Sequence, residues 1–240
     1  ALSGLAVRPY LLLISACLFL TGLLLFKRYR WNFSLTAAIL MVLWLLYNPF
    51  VLEWKYSILS DLPFLFFCFF FLGYFPSKNG YSLKQAVGWG LCCGFIASVR
   101  IIGWALPLSA VMSMMFSAAS SGISWSEKLR KSGAFLFSAV AAFLLLNEVL
   151  FKIPLRQFGG FYTNALQQHD SAFAVNLSFY RNIAAYCFPL PFGLPSLTWW
   201  WLPLALTVWV VRFVRKRELA DCFFLIYAVV LLFYPYQNGG

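Results

Sequence analysis

The sequence predicts an all-α fold, a polytopic transmembrane helical bundle of about eight spans. Three observations predict it. Apolar residues make up 62% of the 240 and charged residues only 10%, against roughly half and a quarter in an ordinary soluble domain. The apolar residues fall in long unbroken runs, such as LLLISACLFLTGLLLF at 11–26. The basic residues fall in short clusters between those runs, and alternate clusters are the richer ones. One water-soluble core of this size has no room for so much apolar surface, whereas a bilayer solvates it. Within a bilayer, backbone amides must bond inside their own segment or around a closed barrel. Barrel strands alternate apolar and polar residues over about ten positions. These runs do not alternate, so helices are expected.

In chain order the spans are expected near 9–26, 33–50, 58–75, 85–99, 101–118, 132–151, 197–211 and 219–235. Several are short against the roughly 20 residues a crossing helix uses. Residues 85–118 form one nearly unbroken run with Arg100 near its middle. A straight helix of that length would reach about 51 Å, too long for one crossing. Two short helices meeting at Arg100 are expected instead. All eight spans are taken as one transmembrane domain. Residues 152–196 form the one long connection, more polar than the rest and punctuated by Gly159-Gly160, Pro189, Pro191 and Pro195.

Charge sets the expected orientation. Lys27, Arg28 and Arg30, then Lys78 and Lys84, then Lys128, Arg130 and Lys131, then Arg212, Arg215, Lys216 and Arg217 lie on one side, twelve in all. The other side holds six: Arg8, Lys55, Arg100, Lys152, Arg156 and Arg181. The richer side is cytoplasmic by the positive-inside rule. Both termini and the loop 152–196 then face the periplasm or lumen, in a bacterial inner membrane or an endoplasmic-reticulum membrane. The formal charge of +11 is thus a matter of topology, and no nucleic-acid partner is expected. Asn176-Leu-Ser is an outward glycosylation sequon, usable only in a eukaryotic host. Cys17, Cys68, Cys92, Cys93 and Cys222 fall within apolar runs, where packing is their usual role. No spacing for zinc or for a disulfide framework is present.

Charge near the hydrocarbon is costly, so it marks candidate sites. Asp61 lies about one turn into the outer end of the third span, too short to reach water easily. Ser60 or Asp61 also suits helix capping, with Pro63 in the first turn. Glu53 and Lys55 sit just outside and either join the same site or are solvated. Arg100, at an outward helix junction, suits a phosphate or pyrophosphate at the membrane face, or snorkels at the interface. His169 and Asp170 are adjacent in the outer loop between Arg156 and Arg181, but neighbours in sequence do not face each other on a helix. A single histidine is a poor metal site, and no metal ligand set is proposed. Asn147-Glu148 near the outer end of the sixth span either pairs with a basic group across the bundle or reaches headgroups. All of these lie on the outward side. The midplane groups and matched broken helices of a transporter are not visible.

The segment SILSDLPFLFFCFFFLGYF at 57–75 resembles the Ser-Asp/Glu-x-x-Phe segment that opens a membrane helix in lipid-linked-sugar glycosyltransferases of the GT-C fold. These include the protein O-mannosyltransferases and the bacterial aminoarabinose transferase. GWGLCCGFIASVRIIGWALPLSAV at 88–111 resembles the next helix pair of that family, a small-residue helix, an arginine and a second apolar helix. YPYQNGG at 234–240 resembles the stretch before its Arg-Tyr-x-x-Pro segment. The resemblance covers about residues 40–120 and the last ten, on short and degenerate motifs.

It implies an inverting transfer of a sugar from a polyprenyl-phosphate donor to a lipid, glycan or protein acceptor on the outer side. It carries over Asp61 and Arg100. Glu53, Lys55, Ser60, His169, Asp170 and Gln237 rest on the reading of the residues alone. Arg100, Lys55, Ser60 and Gln237 are the donor-phosphate candidates, and Asp61, Glu53, His169 and Asp170 the catalytic ones. In the family an acidic residue in the first outer loop is the base. This implies that a first helix and its acidic loop precede the present sequence. No nucleotide is needed, no glycine-rich phosphate loop is present, and dependence on a divalent metal stays open. Two other classes stay open: a transporter or lipid flippase, which would need an inverted repeat, and a non-catalytic membrane subunit that docks through its outer loop.

Overall fold

The computed structural model describes residues 4–47, 61–76, 82–116, 122–150, 152, 176–177 and 195–233. Among these residues every regular element is helical. The helices are α1 Gly4–Arg30, α2 Leu35–Leu46, α3 Asp61–Tyr74, α4 Leu83–Val99, α5 Ala105–Phe116, α6 Trp125–Leu144, α7 Pro195–Lys216 and α8 Leu219–Phe233. A 3₁₀ turn at Ile101–Trp104 precedes α5, and α6 continues as a π-helix over Leu145–Leu150. Among the described residues two helices are long and apolar enough to cross a membrane, Pro9–Arg30 and Trp125–Leu150. At 1.5 Å per residue they reach about 33 and 39 Å, against a hydrocarbon core of about 30 Å.

The chain divides into two compact units. The first comprises Ala1–Phe75 with Val99–Gly103. Here α1 packs against α2 and α3, and Ile14, Leu18 and Leu62 are buried together with Leu46 and Leu65 against them. The turn from α1 to α2 is set by local bonds. The Asn32 side-chain amide donates to the Arg28 carbonyl (3.1 Å), and the Ser34 hydroxyl accepts from the Ala37 amide (3.3 Å). These satisfy groups that helix ends leave unpaired. At the C-terminal ends of α1 and α3, Lys27 Nζ donates to the Tyr74 hydroxyl at 3.4 Å and lies 5.4 Å from its ring centroid.

The second unit comprises Pro76–Ser98 and Trp104–Gly240. A reciprocal capping box opens α4: the Gln85 amide donates to the Ser82 hydroxyl (3.2 Å), and the Ser82 amide to Gln85 Oε1 (2.7 Å). Ala86, Gly90, Gly94 and Ser98 then recur every fourth residue, on one helix face. At that face α4 meets α6 backbone to backbone. A Cβ on Gly90 would overlap the Phe135 carbonyl and the Ser138 hydroxyl, and one on Gly94 the Ala139 carbonyl. Small residues allow helices to pack this closely in an apolar medium. Nearer the start of α6, Ser132 donates to Met114 Sδ (3.4 Å) and Lys128 Nζ to the Met115 carbonyl (3.4 Å), tying α6 to the end of α5. Helix α8 packs on α5.

Several bounds differ from the sequence reading. Helix α6 begins at Trp125, seven residues before 132, because Ser124 caps it and Lys131 pairs with Glu127 one turn earlier (2.7 Å). Helices α1 and α7 run on through Arg30 and Lys216. Basic side chains in a last turn complement the partial negative charge of a helix C-terminus. A helix therefore continues past the edge of its apolar run, which hydropathy alone does not register. Cys17, Cys68, Cys93 and Cys222 are buried and Cys92 half-buried, all as free thiols.

Candidate functional site

Of the eight candidate residues, two lie within the described residues. Asp61 is the first residue of α3, with Pro63 in that first turn. Residues 48–60 lie outside the described residues, so the expected choice between capping and a place one turn inside the helix stays open. Arg100 is the non-helical residue between α4 and the 3₁₀ turn, and it is half-buried. Its carbonyl accepts from the Gly103 amide at 2.8 Å, which closes the turn. The expected break at Arg100 is therefore a real change of helix type. Asp61 and Arg100 belong to the same compact unit. Glu53, Lys55, Ser60, His169, Asp170 and Gln237 lie outside the described residues.

Two residues before Arg100, a buried polar node holds the end of α4. Asn147 Nδ2 donates to the Ser98 hydroxyl (3.1 Å) and to the Phe143 carbonyl (2.8 Å), and Ser98 Oγ donates to the Gly94 carbonyl (2.9 Å). Asn147 is 1% exposed, and its partners are a hydroxyl and a carbonyl rather than the basic group that the sequence reading offered. It sits in the π-helical stretch Leu145–Leu150. A widened turn shifts the backbone donor register by one residue, and the Asn147 side chain reaches back to the Phe143 carbonyl. Such π segments recur at functional sites. Trp104, at the start of α5, packs edge-on against Phe143 (5.2 Å between centroids). Glu148, next to Asn147, is exposed.

Ser98 was not among the sequence candidates. The signal that finds it is the four-residue repeat Ala86, Gly90, Gly94, Ser98, which places it on the face packed against α6. Asn176, the asparagine of the outward sequon, is buried. It is 1% exposed, and its Nδ2 donates to the Leu232 carbonyl at 3.0 Å. The asparagine nitrogen a glycan would occupy is thus committed to the last turn of α8.

Among the described residues, three or more His, Cys, Asp or Glu side chains do not gather anywhere in a way that could hold a metal. The arrangement can offer a guanidinium at a helix junction, with its planar set of donors for a phosphate or carboxylate. Comparison with protein-family models, with curated proteins and with solved structures finds no match.

Proposed function

We propose that this chain is the multi-span membrane domain of a GT-C-like glycosyltransferase. It would move a sugar from a polyprenyl-phosphate donor to a glycan, lipid or protein acceptor on the periplasmic or lumenal side. The observation that carries the proposal is that Asp61 and Arg100, far apart in sequence, belong to one compact unit, with Arg100 at a helix junction. These are the two residues that the family resemblance carries over.

Support for the eight-span arrangement comes from which helix ends meet. The charge bias puts the C-terminal ends of α1 and α3 on the inner side, and there Lys27 meets Tyr74. It puts the end of α5 and the start of α6 inside, where Lys128 meets the Met115 carbonyl. It puts the C-terminal ends of α4 and α6 outside, where Asn147 meets Ser98. The loop 152–196 and the C-terminal end of α8 fall outside too, where Asn176 meets the Leu232 carbonyl. Each of these polar contacts joins segments that the charge pattern assigns to one face.

In the proposed reaction, the acceptor oxygen or nitrogen bonds to the anomeric carbon as the bond to the donor phosphate breaks. Polyprenyl phosphate leaves with the electron pair, and the acceptor proton passes to a carboxylate. The Arg100 guanidinium offsets the charge that develops on the phosphate. Asp61 orients a sugar hydroxyl or a neighbouring cation, and the prenyl tail lies along apolar helix faces. The test is sugar transfer by the full-length protein from a synthetic polyprenyl-phosphate sugar. Arg100→Ala is expected to lower turnover about 10²–10³-fold, the scale for losing one charge-stabilising group. Asp61→Asn is expected to abolish transfer, and both variants should insert normally. Unchanged transfer in both overturns the proposal.

A further inference from the structure

The turn joining α7 to α8 sorts its charges in an unusual way. Between residues 212 and 221 stand four cations and two carboxylates. Both carboxylates are spent on one cation. Arg212 Nη2 lies 2.8 Å from Glu218 Oε2 and Arg212 Nε 3.0 Å from Asp221 Oδ1. Asp221 is buried, and its second oxygen accepts from the Glu218 amide at 3.2 Å, which caps α8. Arg215, Lys216 and Arg217 are exposed. No carboxylate among the described residues pairs with them.

Arg217 adds an independent observation. Its φ is +50°, and its amide donates to the Phe213 carbonyl at 3.1 Å. This is the left-handed helix stop that glycine ordinarily fills without strain. An arginine is therefore kept where its backbone conformation is unfavourable. On the adjoining helix, Leu204, Val208 and Val211 are 54%, 62% and 47% exposed. With Arg215 they are spaced at four, three and four residues, so they form one apolar stripe that ends at a cation.

We propose that the α7–α8 turn is a binding site for an anionic phospholipid, with an acyl chain along Leu204, Val208 and Val211 and the headgroup phosphate at Arg215, Lys216 and Arg217. The proposal rests on the multi-span part of the reading above and is independent of glycosyl transfer. Basic clusters beside a membrane helix attract anionic headgroups. Here the two acids that would weaken that attraction are turned onto Arg212. The apolar stripe selects a lipid over a soluble anion, because a free phosphate ester gains nothing from it.

The test uses the full-length protein in detergent micelles, titrated with phosphatidylglycerol or phosphatidylcholine, with bound lipid counted by native mass spectrometry. Wild type is expected to retain phosphatidylglycerol over phosphatidylcholine by about fivefold. Arg215→Gln, Lys216→Gln and Arg217→Gln together should bring the ratio close to unity. Arg217→Gly separates binding from folding: it relaxes the turn, so thermal stability should hold or rise while the lipid preference falls. Equal retention of the two lipids by wild type overturns the site, as does a preference that survives the triple substitution. Competition by glycerol phosphate as effective as by the lipid overturns the lipid assignment in favour of a soluble phosphate ester. Recovery of a monodisperse protein without detergent overturns the membrane reading itself, a distinct result.

Discussion

The Asn147 side-chain amide donates to the Ser98 hydroxyl at 3.1 Å, joining the C-terminal ends of two helices 49 positions apart in the chain. Asn147 is buried and Ser98 half-buried, and the same amide also serves the Phe143 carbonyl. In an apolar surrounding an unmade bond leaves the group unsatisfied. Side-chain bonds between membrane helices are nevertheless modest, about 0.6 kcal/mol on average and up to about 1.7. A double-mutant cycle of Asn147→Ala and Ser98→Ala, read by unfolding in detergent, is expected to show a coupling within that range. Strict additivity would mean that the bond does not form in solution.

The approach of α4 to α6 makes a contrast between glycines. Gly90→Ala puts a methyl onto the Phe135 carbonyl, a backbone atom that cannot rotate away. Overpacking of this kind costs roughly 1–3 kcal/mol, or a fall in melting midpoint of about 2–10 °C for a chain this long. Gly88 and Gly133 have open space where a Cβ would stand. Alanine at either is expected to leave the midpoint unchanged or to raise it slightly, since glycine is the poorer helix former. A loss at Gly88 equal to that at Gly90 would remove the helix–helix explanation.

Sidedness is testable with single cysteines in a background lacking the native ones. Arg30 and Lys216 are exposed at the ends assigned to the inner face, and Lys152 at the outer. In sealed right-side-out vesicles a membrane-impermeant maleimide is expected to label Lys152→Cys, and to label Arg30→Cys and Lys216→Cys only after permeabilisation. Labelling of all three without permeabilisation contradicts the eight-span arrangement.

At the α7–α8 turn, Asp221 both pairs with Arg212 and accepts from the Glu218 amide. Asp221→Asn keeps an acceptor for the amide and loses the charge, while Asp221→Ala loses both. Losing the hydrogen bond that Asp221 accepts from the Glu218 amide costs about 1 kcal/mol, and Arg212 is 47% exposed, so water screens much of the ion pair's contribution. Alanine is therefore expected to lower stability clearly more than asparagine does, measured by thermal unfolding. The reverse order would make the ion pair, not the cap, the main contribution.

The sequence by itself determined the helical class and where the helices run, because burying a polar backbone beside so many apolar side chains leaves few alternatives. It determined the break at Arg100, since a charged residue in the middle of a 34-residue apolar run marks a junction. It also carried the small-residue repeat on α4, legible as spacing although its partner was not. Tertiary structure alone decided the partners. The two units that divide at Ser98 and Val99, the pairing of Ser98 with Asn147, the burial of Asn176 against α8 and the capture of two acids by Arg212 all depend on long-range packing. Hydropathy reports how apolar a segment is, and says nothing of which face meets which neighbour. Arg217 is the sharpest case: its residue type gives no hint of a left-handed backbone, which only the short turn between two packed helices imposes.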